Sequence, residues 1–197
     1  MLSLTIRWFY CVILIITITS CSSTPETQYY ALAADKTPLA LNHSLDKKTA
    51  IGIGPLVVPD ILDNFSIISS ENNNQIALNS FNLWAGNLKN NIGQVLADNI
   101  SNYLDIDSVW AFPWDNRNRP LVQVRVVFER FSGQLGKNIT LQAKWTMLTD
   151  YGKKEKITKK YRVIKTLDDD SYLSYVKGLN DALTDFSIEL AKEVSRQ

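Results

Sequence analysis

The stretch that decides the fold is VQVRVVFERFSGQLGKNITLQAKWTM, residues 122–147. Apolar and polar residues alternate over 122–128 and again over 139–147, and Gly133 and Gly136 lie between the two halves. A period of two is typical of a strand with one buried face, because successive side chains point to opposite sides of a sheet. The stretch therefore predicts two antiparallel strands joined by a turn.

The sequence on either side adds further strands. Residues 157–166 follow a turn, and their lysine and arginine content favours a strand at the sheet edge or one with a solvent-facing side. Upstream, the aliphatic residues 50–58 predict a buried strand, and 29–32 predict a short first strand. Polar turn formers separate two β-like pieces at 66–70 and 75–78, which predicts a hairpin.

Two segments change to a helical period. Apolar residues recur three or four positions apart from Trp84 to Leu104, with polar residues on the opposite face. A second stripe runs from Tyr172 to Val194, with Ser171 as N-cap and three aspartates before it, near the positive end of the helix dipole. The order of elements predicts an α+β fold: a two-layer sandwich of a mixed or mainly antiparallel sheet with two helices packed on one face.

The amino-terminal segment predicts a bacterial lipoprotein signal. Residues 8–18 form an apolar run of about eleven residues, too short for the roughly 20 that a membrane-crossing helix needs. Ile18 and Ser20 suit cleavage before Cys21, whose thiol would then carry a diacylglycerol. The alternative is an ordinary secretory signal in which Cys21 is incidental. We predict a signal peptide at 1–20, a lipidated tether at 21–28 and a single α+β domain at 29–197.

The residues after the cysteine predict where the protein sits. In enteric-type bacteria an Asp at the next position retains a lipoprotein in the inner membrane, whereas this chain has Ser22. We therefore predict the periplasmic face of the outer membrane. Residues 22–28 can span only about 20 to 25 Å, so the domain would lie close to the lipid surface.

Composition argues against several functions. Without residues 1–20 the chain has 20 basic and 20 acidic side chains, which gives no electrostatic reason to bind nucleic acid. Cys11 leaves with the signal and Cys21 is consumed by lipid, so no disulfide is expected. His43 is the only histidine, and no serine lies in Gly-x-Ser-x-Gly. We predict neither an enzyme nor a bound metal or cofactor.

Three aromatic residues stand out as a candidate surface. Trp110, Phe112 and Trp114 alternate within 108–114, a segment of extended character. An extended backbone would point all three side chains to one side. They could line a lipid-contacting or partner-binding surface, or they could cap the core, since large aromatic residues usually dominate cores.

Several separated motifs resemble those of the PqiC family, the ABC-type transport auxiliary lipoproteins. The match runs over nearly the whole mature chain, and the order and spacing of the motifs make the combination specific. In chain order they are Cys21, Tyr29-Tyr30-x-Leu32, Ile51-Gly52-Ile53-Gly54-Pro55 with Pro59 and Leu62 following, Trp84-Ala85-x-x-Leu88, Pro113-Trp114, residues 122–133 and Leu141-x-Ala143-x-Trp145.

The resemblance implies an accessory role without catalytic residues. Such proteins serve at the outer-membrane end of Pqi-type lipid transport systems, whose periplasm-spanning protein carries mammalian-cell-entry domains. On this basis we predict a docking subunit for that protein, with self-association around the partner's end. The alternative is a direct lipid-binding carrier, in which the sheet and helices enclose an acyl chain. The candidate partner contacts are Pro59, Leu62, Trp110, Phe112 and Trp114.

Overall fold

The computed structural model describes residues 25–37, 39, 41–72, 74–115 and 119–197. The predicted signal peptide, the lipidation site Cys21 and the first residues of the tether lie outside these residues. The strands are β1 (Gln28–Tyr30), β2 (Ile51–Val57), β3 (Ser66–Asn72), β4 (Gln75–Trp84), β5 (Val109–Ala111), β6 (Val122–Gln134), β7 (Asn138–Thr149) and β8 (Lys154–Thr166). The helices are α1 (Leu88–Leu104) and α2 (Tyr172–Val194), and Asp60–Leu62 forms a 3-10 turn.

The larger sheet has five strands in the order β5-β2-β6-β7-β8. β2 lies parallel to both β5 and β6, whereas β6, β7 and β8 form an antiparallel meander. Both helices pack on this sheet, α1 against β2 and β5 and α2 against β6, β7 and β8. The predicted α+β sandwich with a mixed sheet is confirmed. The predicted edge strand is also confirmed, because β8 is the last strand of the sheet.

The strands divide between two sheets, where the sequence had predicted one. The second sheet has the order β1-β4-β3 and contains the predicted hairpin, β3 and β4. β3 lies beside the last residues of β6, and the side chains of Tyr175 and Gln134 join them in place of a backbone ladder, with the Gln134 amide donating to the Glu71 carbonyl at 2.8 Å. The Tyr175 hydroxyl accepts from the Gly133 amide at 2.9 Å and donates to the Ile68 carbonyl at 2.6 Å. Burial raises the pKa of Tyr175 to about 12.

The core lies between the five-stranded sheet and the helices. The alternation in β6 and β7 directs Val124, Val126 and Trp145 toward α2, where each is at most 1% exposed. One polar link crosses the helix pair: the Asn99 amide donates to the Ser187 hydroxyl at 3.0 Å. The predicted buried face of these strands is confirmed.

Capping residues fix the helix starts. Ser171 accepts a hydrogen bond from the Ser174 amide at 3.1 Å, as predicted. The first helix begins at Leu88, and its N-cap Asn87 accepts from the Asn90 amide at 3.0 Å. Assigning Trp84 to this helix was therefore wrong. Trp84 ends β4 and is buried opposite Tyr30 of β1.

The segment of residues 32–37 packs against the two helices as a strap. The Leu32 amide donates to the Asn91 side chain at 2.7 Å, and the Ala33 amide donates to Asn180 at 2.9 Å. The Asp35 amide donates to Asn99 at 2.7 Å. Because consecutive residues bind both helices, the strap covers part of the helix layer on the way from β1.

Candidate docking surface

The aromatic candidates lie at the edge strand β5. In the parallel register Ile51 faces Val109, Gly52 faces Trp110 and Ile53 faces Ala111. Ile51 and Ile53 are fully buried toward the helices. Alternation along the strand therefore places Gly52 and Trp110 on the opposite side, which we call the outer face of the sheet.

Glycines in β2 let the aromatic residues approach the backbone. A Cβ on Gly52 would lie 2.8 Å from Cζ3 of Trp114 and 2.6 Å from Cγ of Pro120. A Cβ on Gly54 would lie 2.6 Å from Cβ of Phe112. All three distances are shorter than any ordinary carbon contact, so side chains at these two positions would push the aromatic residues away from the sheet.

Trp110 and Phe112, which are exposed, and Trp114, which is half-buried, form one group, which we call the aromatic edge. The rings of Phe112 and Trp114 meet edge to face, with centroids 5.1 Å apart. Trp110 is 40% exposed and Phe112 is 48% exposed. The prediction that all three lie along one extended strand was wrong, because β5 ends at Ala111. They still share the outer face, since Trp114 packs over Gly52, the register neighbour of Trp110.

A cleft of about 390 Å³ runs beside the aromatic edge. It is open to solvent and lies between α1 and the segment that follows β5. A smaller cleft of about 220 Å³ lies near the carboxyl end of α1, and its lining is mostly polar. The lining residues of the larger cleft are Gln94, Val109, Trp110, Ala111, Pro113, Trp114 and Asp115.

The connection after β2 is arranged differently from the prediction. Leu62 is only 6% exposed and belongs to the core, and its amide donates to the Pro59 carbonyl at 2.8 Å. Pro59 is half-buried. The 3-10 turn instead exposes Ile61 at 45%, and Phe65 beyond it is exposed at 68%. Sequence reasoning missed both, although the neighbouring pair Ile61 and Leu62 signals that a tight turn must expose one of them.

The described residues hold no cluster of metal-binding side chains. No group of three or more His, Cys, Asp or Glu residues could bind a metal within this part of the chain. The Nε2 atom of His43 lies 2.6 Å from the Leu104 carbonyl, so the ring is engaged at the end of α1. No helix in the described part of the chain is long and apolar enough to cross a membrane.

Comparison with known families decides the affiliation. The model of the ABC-type transport auxiliary lipoprotein component matches residues 30–191. The chain belongs to this family. The predicted resemblance is thereby confirmed, and the protein is an auxiliary lipoprotein of a transport system. No curated protein sequence matches the chain.

Two solved structures share the fold of this auxiliary lipoprotein. A crystal structure of an uncharacterised protein superposes with a TM-score of 0.69 at 17% identity, covering 87% of this chain and all of that one (100%). A Xanthomonas campestris protein of the DUF330 family superposes with a TM-score of 0.70 at 14% identity, covering 86% of this chain and 95% of that one. At such identities the likeness establishes the fold alone.

Proposed function

We propose that this auxiliary lipoprotein is anchored in the outer membrane through acylated Cys21 and docks the periplasm-spanning mammalian-cell-entry-domain protein of a Pqi-type lipid transport system. The observation that carries the proposal is the aromatic edge, where Trp110 and Phe112 are exposed beside an open cleft. Exposed tryptophan and phenylalanine beside a concavity are typical anchors of protein interfaces. The family affiliation supports an accessory role.

The same cleft bears on the alternative, a direct lipid carrier. Its volume of about 390 Å³ lies in the range of small-ligand pockets. However, Gln94 and Asp115 contribute polar groups to its lining. It also opens along a sheet edge, whereas a carrier must shield most of an acyl chain from water. These features favour docking over carriage.

The experiment is a pull-down of the tagged, lipidated protein from cells after cross-linking, followed by mass spectrometry of proteins and lipids. Docking predicts recovery of the mammalian-cell-entry-domain protein. The variant Trp110→Ala together with Phe112→Ala should weaken binding by about 30-fold or more, since a single interface anchor is worth about 2 kcal/mol.

Leu173→Ala is the matched control, because Leu173 is 71% exposed but lies at the start of α2, away from β5. It should retain parental binding. Recovery of stoichiometric lipid without that partner would establish the carrier function. Equal binding by the parent and the aromatic variant, with circular dichroism unchanged, would exclude the aromatic edge as the docking surface.

A further inference from the structure

Charge is distributed very unevenly along this nearly neutral chain. Residues 122–166, which contain β6, β7 and β8, carry eleven basic and three acidic side chains. The rest of the chain carries ten basic and 17 acidic side chains. The meander is therefore strongly cationic and the remainder is anionic, a separation that the net charge of +1 conceals.

Some of these cations face the helices and have partners. Lys159 forms an ion pair with Glu193 of α2 at 2.7 Å, and Lys165 forms one with Asp185 at 2.6 Å. These two lysines join the edge strand to the helix layer. They are not available to another molecule without loss of that contact.

The cations on the outer face are arranged differently. Lys144 of β7 lies directly opposite Lys160 of β8, and Arg162 follows two residues later, opposite Gln142. Arg125 of β6 lies opposite Thr146, one row away. All four basic residues are exposed. We call this group, Arg125, Lys144, Lys160 and Arg162, the cationic face.

No carboxylate of the described chain neutralises the cationic face by an ion pair. Like charges directly opposite each other in a sheet are destabilising, so the Lys144–Lys160 pair is a cost to the isolated domain. The two acidic side chains nearby reach the same face, where each is hydrogen-bonded to a neutral side chain. Glu129 accepts a hydrogen bond from the Gln142 amide, and Glu155 accepts one from the Thr158 hydroxyl at 2.7 Å.

We propose that the cationic face binds the phosphate groups of an anionic lipid bilayer. Charge complementarity carries the proposal, because the four cations on adjacent strands form no ion pair with a described carboxylate and outnumber Glu129 and Glu155, so the face has a net positive charge. Their spacing follows from sheet geometry: strands lie about 4.8 Å apart and alternate residues about 6.7 Å apart. The array extends over about 10 by 13 Å, a size that suits several headgroups.

The surroundings of the cationic face favour a bilayer over a small soluble anion. Neither of the two described clefts includes any of its four residues. Val127 and Ile164 project from the same face and are 44% and 53% exposed. Apolar side chains among cations are typical of surfaces that rest at the headgroup level of a membrane.

The tether places the domain where such a surface can act. This inference goes beyond the docking role and rests on only one part of the proposed function, the lipid anchor at Cys21. Residues 22–28 allow a separation of at most about 25 Å, so the effective concentration of lipid at the domain is high. The lipid anchor would hold the domain at the membrane, and the weak contacts with phosphate groups would then set its orientation.

The twist of the sheet keeps the cationic face apart from the aromatic edge. Adjacent strands are rotated by about 20 to 25°, so four intervals from β5 to β8 rotate the outer face by about 80 to 100°. The two surfaces therefore point in different directions. A domain resting on lipid through β7 and β8 still presents β5 to a protein partner.

The test measures vesicle binding by the chain of residues 21–197 with Cys21→Ser, which retains every described strand and helix. The vesicles contain equal parts of phosphatidylglycerol and phosphatidylcholine, and phosphatidylcholine alone is the reference. We expect sedimentation with the anionic vesicles at low salt and its loss at about 1 M NaCl, where the Debye length is about 3 Å.

The decisive variant is Lys144→Gln with Lys160→Gln and Arg162→Gln. Each charge near an anionic membrane contributes about fivefold to binding, so the triple variant should bind about 100-fold more weakly. It should unfold at the same or a higher urea concentration, because a like-charge pair is removed. The matched control changes three exposed lysines outside the sheet, Lys48, Lys89 and Lys192, to glutamine.

The outcomes separate the explanations. The control variant should bind the anionic vesicles as strongly as the parent. If both triple variants lose binding equally, net charge explains the binding and the proposal is overturned. The proposal would also be overturned if the parent does not sediment with the anionic vesicles. If that parent instead binds polyglutamate, the face recognises an acidic protein segment. No partner protein is present in this assay, so its failure leaves the docking proposal to its own pull-down test.

Discussion

Tyr175→Phe should weaken the attachment of the small sheet to the large one and lower the stability of the domain by a measurable amount. The substitution removes one oxygen and leaves the ring in place, so packing is preserved. Two buried groups then lose a partner: the Gly133 amide, 2.9 Å from the hydroxyl, and the Ile68 carbonyl, 2.6 Å from it. An unsatisfied buried group costs about 1 to 3 kcal/mol, so we expect the free energy of unfolding to fall by about 2 to 4 kcal/mol. That is a large share of the 5 to 15 kcal/mol typical of a domain.

Urea unfolding followed by tryptophan fluorescence measures the loss, and hydrogen exchange localises it. Amides of β3 should exchange faster in the variant, whereas those of β7 should change only with global stability. Tyr172→Phe is the control, because Tyr172 lies one turn earlier on α2 and its hydroxyl makes no hydrogen bond within the described chain. If Tyr175→Phe is no less stable than Tyr172→Phe, the hydroxyl does not join the sheets.

Alkaline pH gives an independent readout of the burial of the Tyr175 hydroxyl. The pKa of Tyr175 is about 12 in the folded chain, against about 10 for an unfolded tyrosine. The neutral phenol is therefore favoured by folding. Its contribution is fully present below pH 10 and is lost as the pH rises from about 10 to 12, amounting to about 3 kcal/mol at most. Tyr175→Phe should flatten the fall in stability over this range, and an unchanged slope would contradict the assignment.

Two further predictions concern the core and the anchor. Trp145→Ala and Leu183→Ala each remove a side chain that is at most 1% exposed. Each should lower the free energy of unfolding by about 2 to 5 kcal/mol, which thermal melts would measure. Melting temperatures equal to that of the parent would contradict the two-layer packing. Cys21→Ser should abolish labelling by a palmitate analogue, and retained label would contradict lipidation of Cys21. Ser22→Asp should move the protein to the inner membrane, and unchanged fractionation would remove the basis for the outer-membrane assignment.

Local patterns predicted the larger elements because burial there follows a simple period. In β6 and β7 the alternation coincides with one covered and one open face, so the sequence specifies the register unambiguously. Trp84 misled the helix prediction for a definable reason. It stands four residues before Leu88, which is the correct helical spacing, but Gly86 and the N-cap Asn87 intervene.

Contacts between segments that are distant in sequence could not be predicted from local patterns. The division into two sheets depends on how β3 meets β6, where the Tyr175 hydroxyl takes the place of ladder hydrogen bonds. The burial of Leu62 depends on a single 3-10 turn that exposes Ile61 instead. The aromatic edge was predicted from alternate spacing, yet Trp114 reaches it by folding back over Gly52 after the strand has ended.

Both proposed surfaces lie away from the helix side of the sheet, because that side is not accessible to another molecule. That side is covered by α1 and α2, and the strap of residues 32–37 covers part of the helices in turn. The chain outside residues 122–166 has an excess of acidic side chains, which an anionic membrane would repel. If the proposed short tether holds the domain at the lipid, we expect this charge distribution to orient it, with β7 and β8 toward the membrane and the aromatic edge at β5 toward the periplasm and the proposed partner protein.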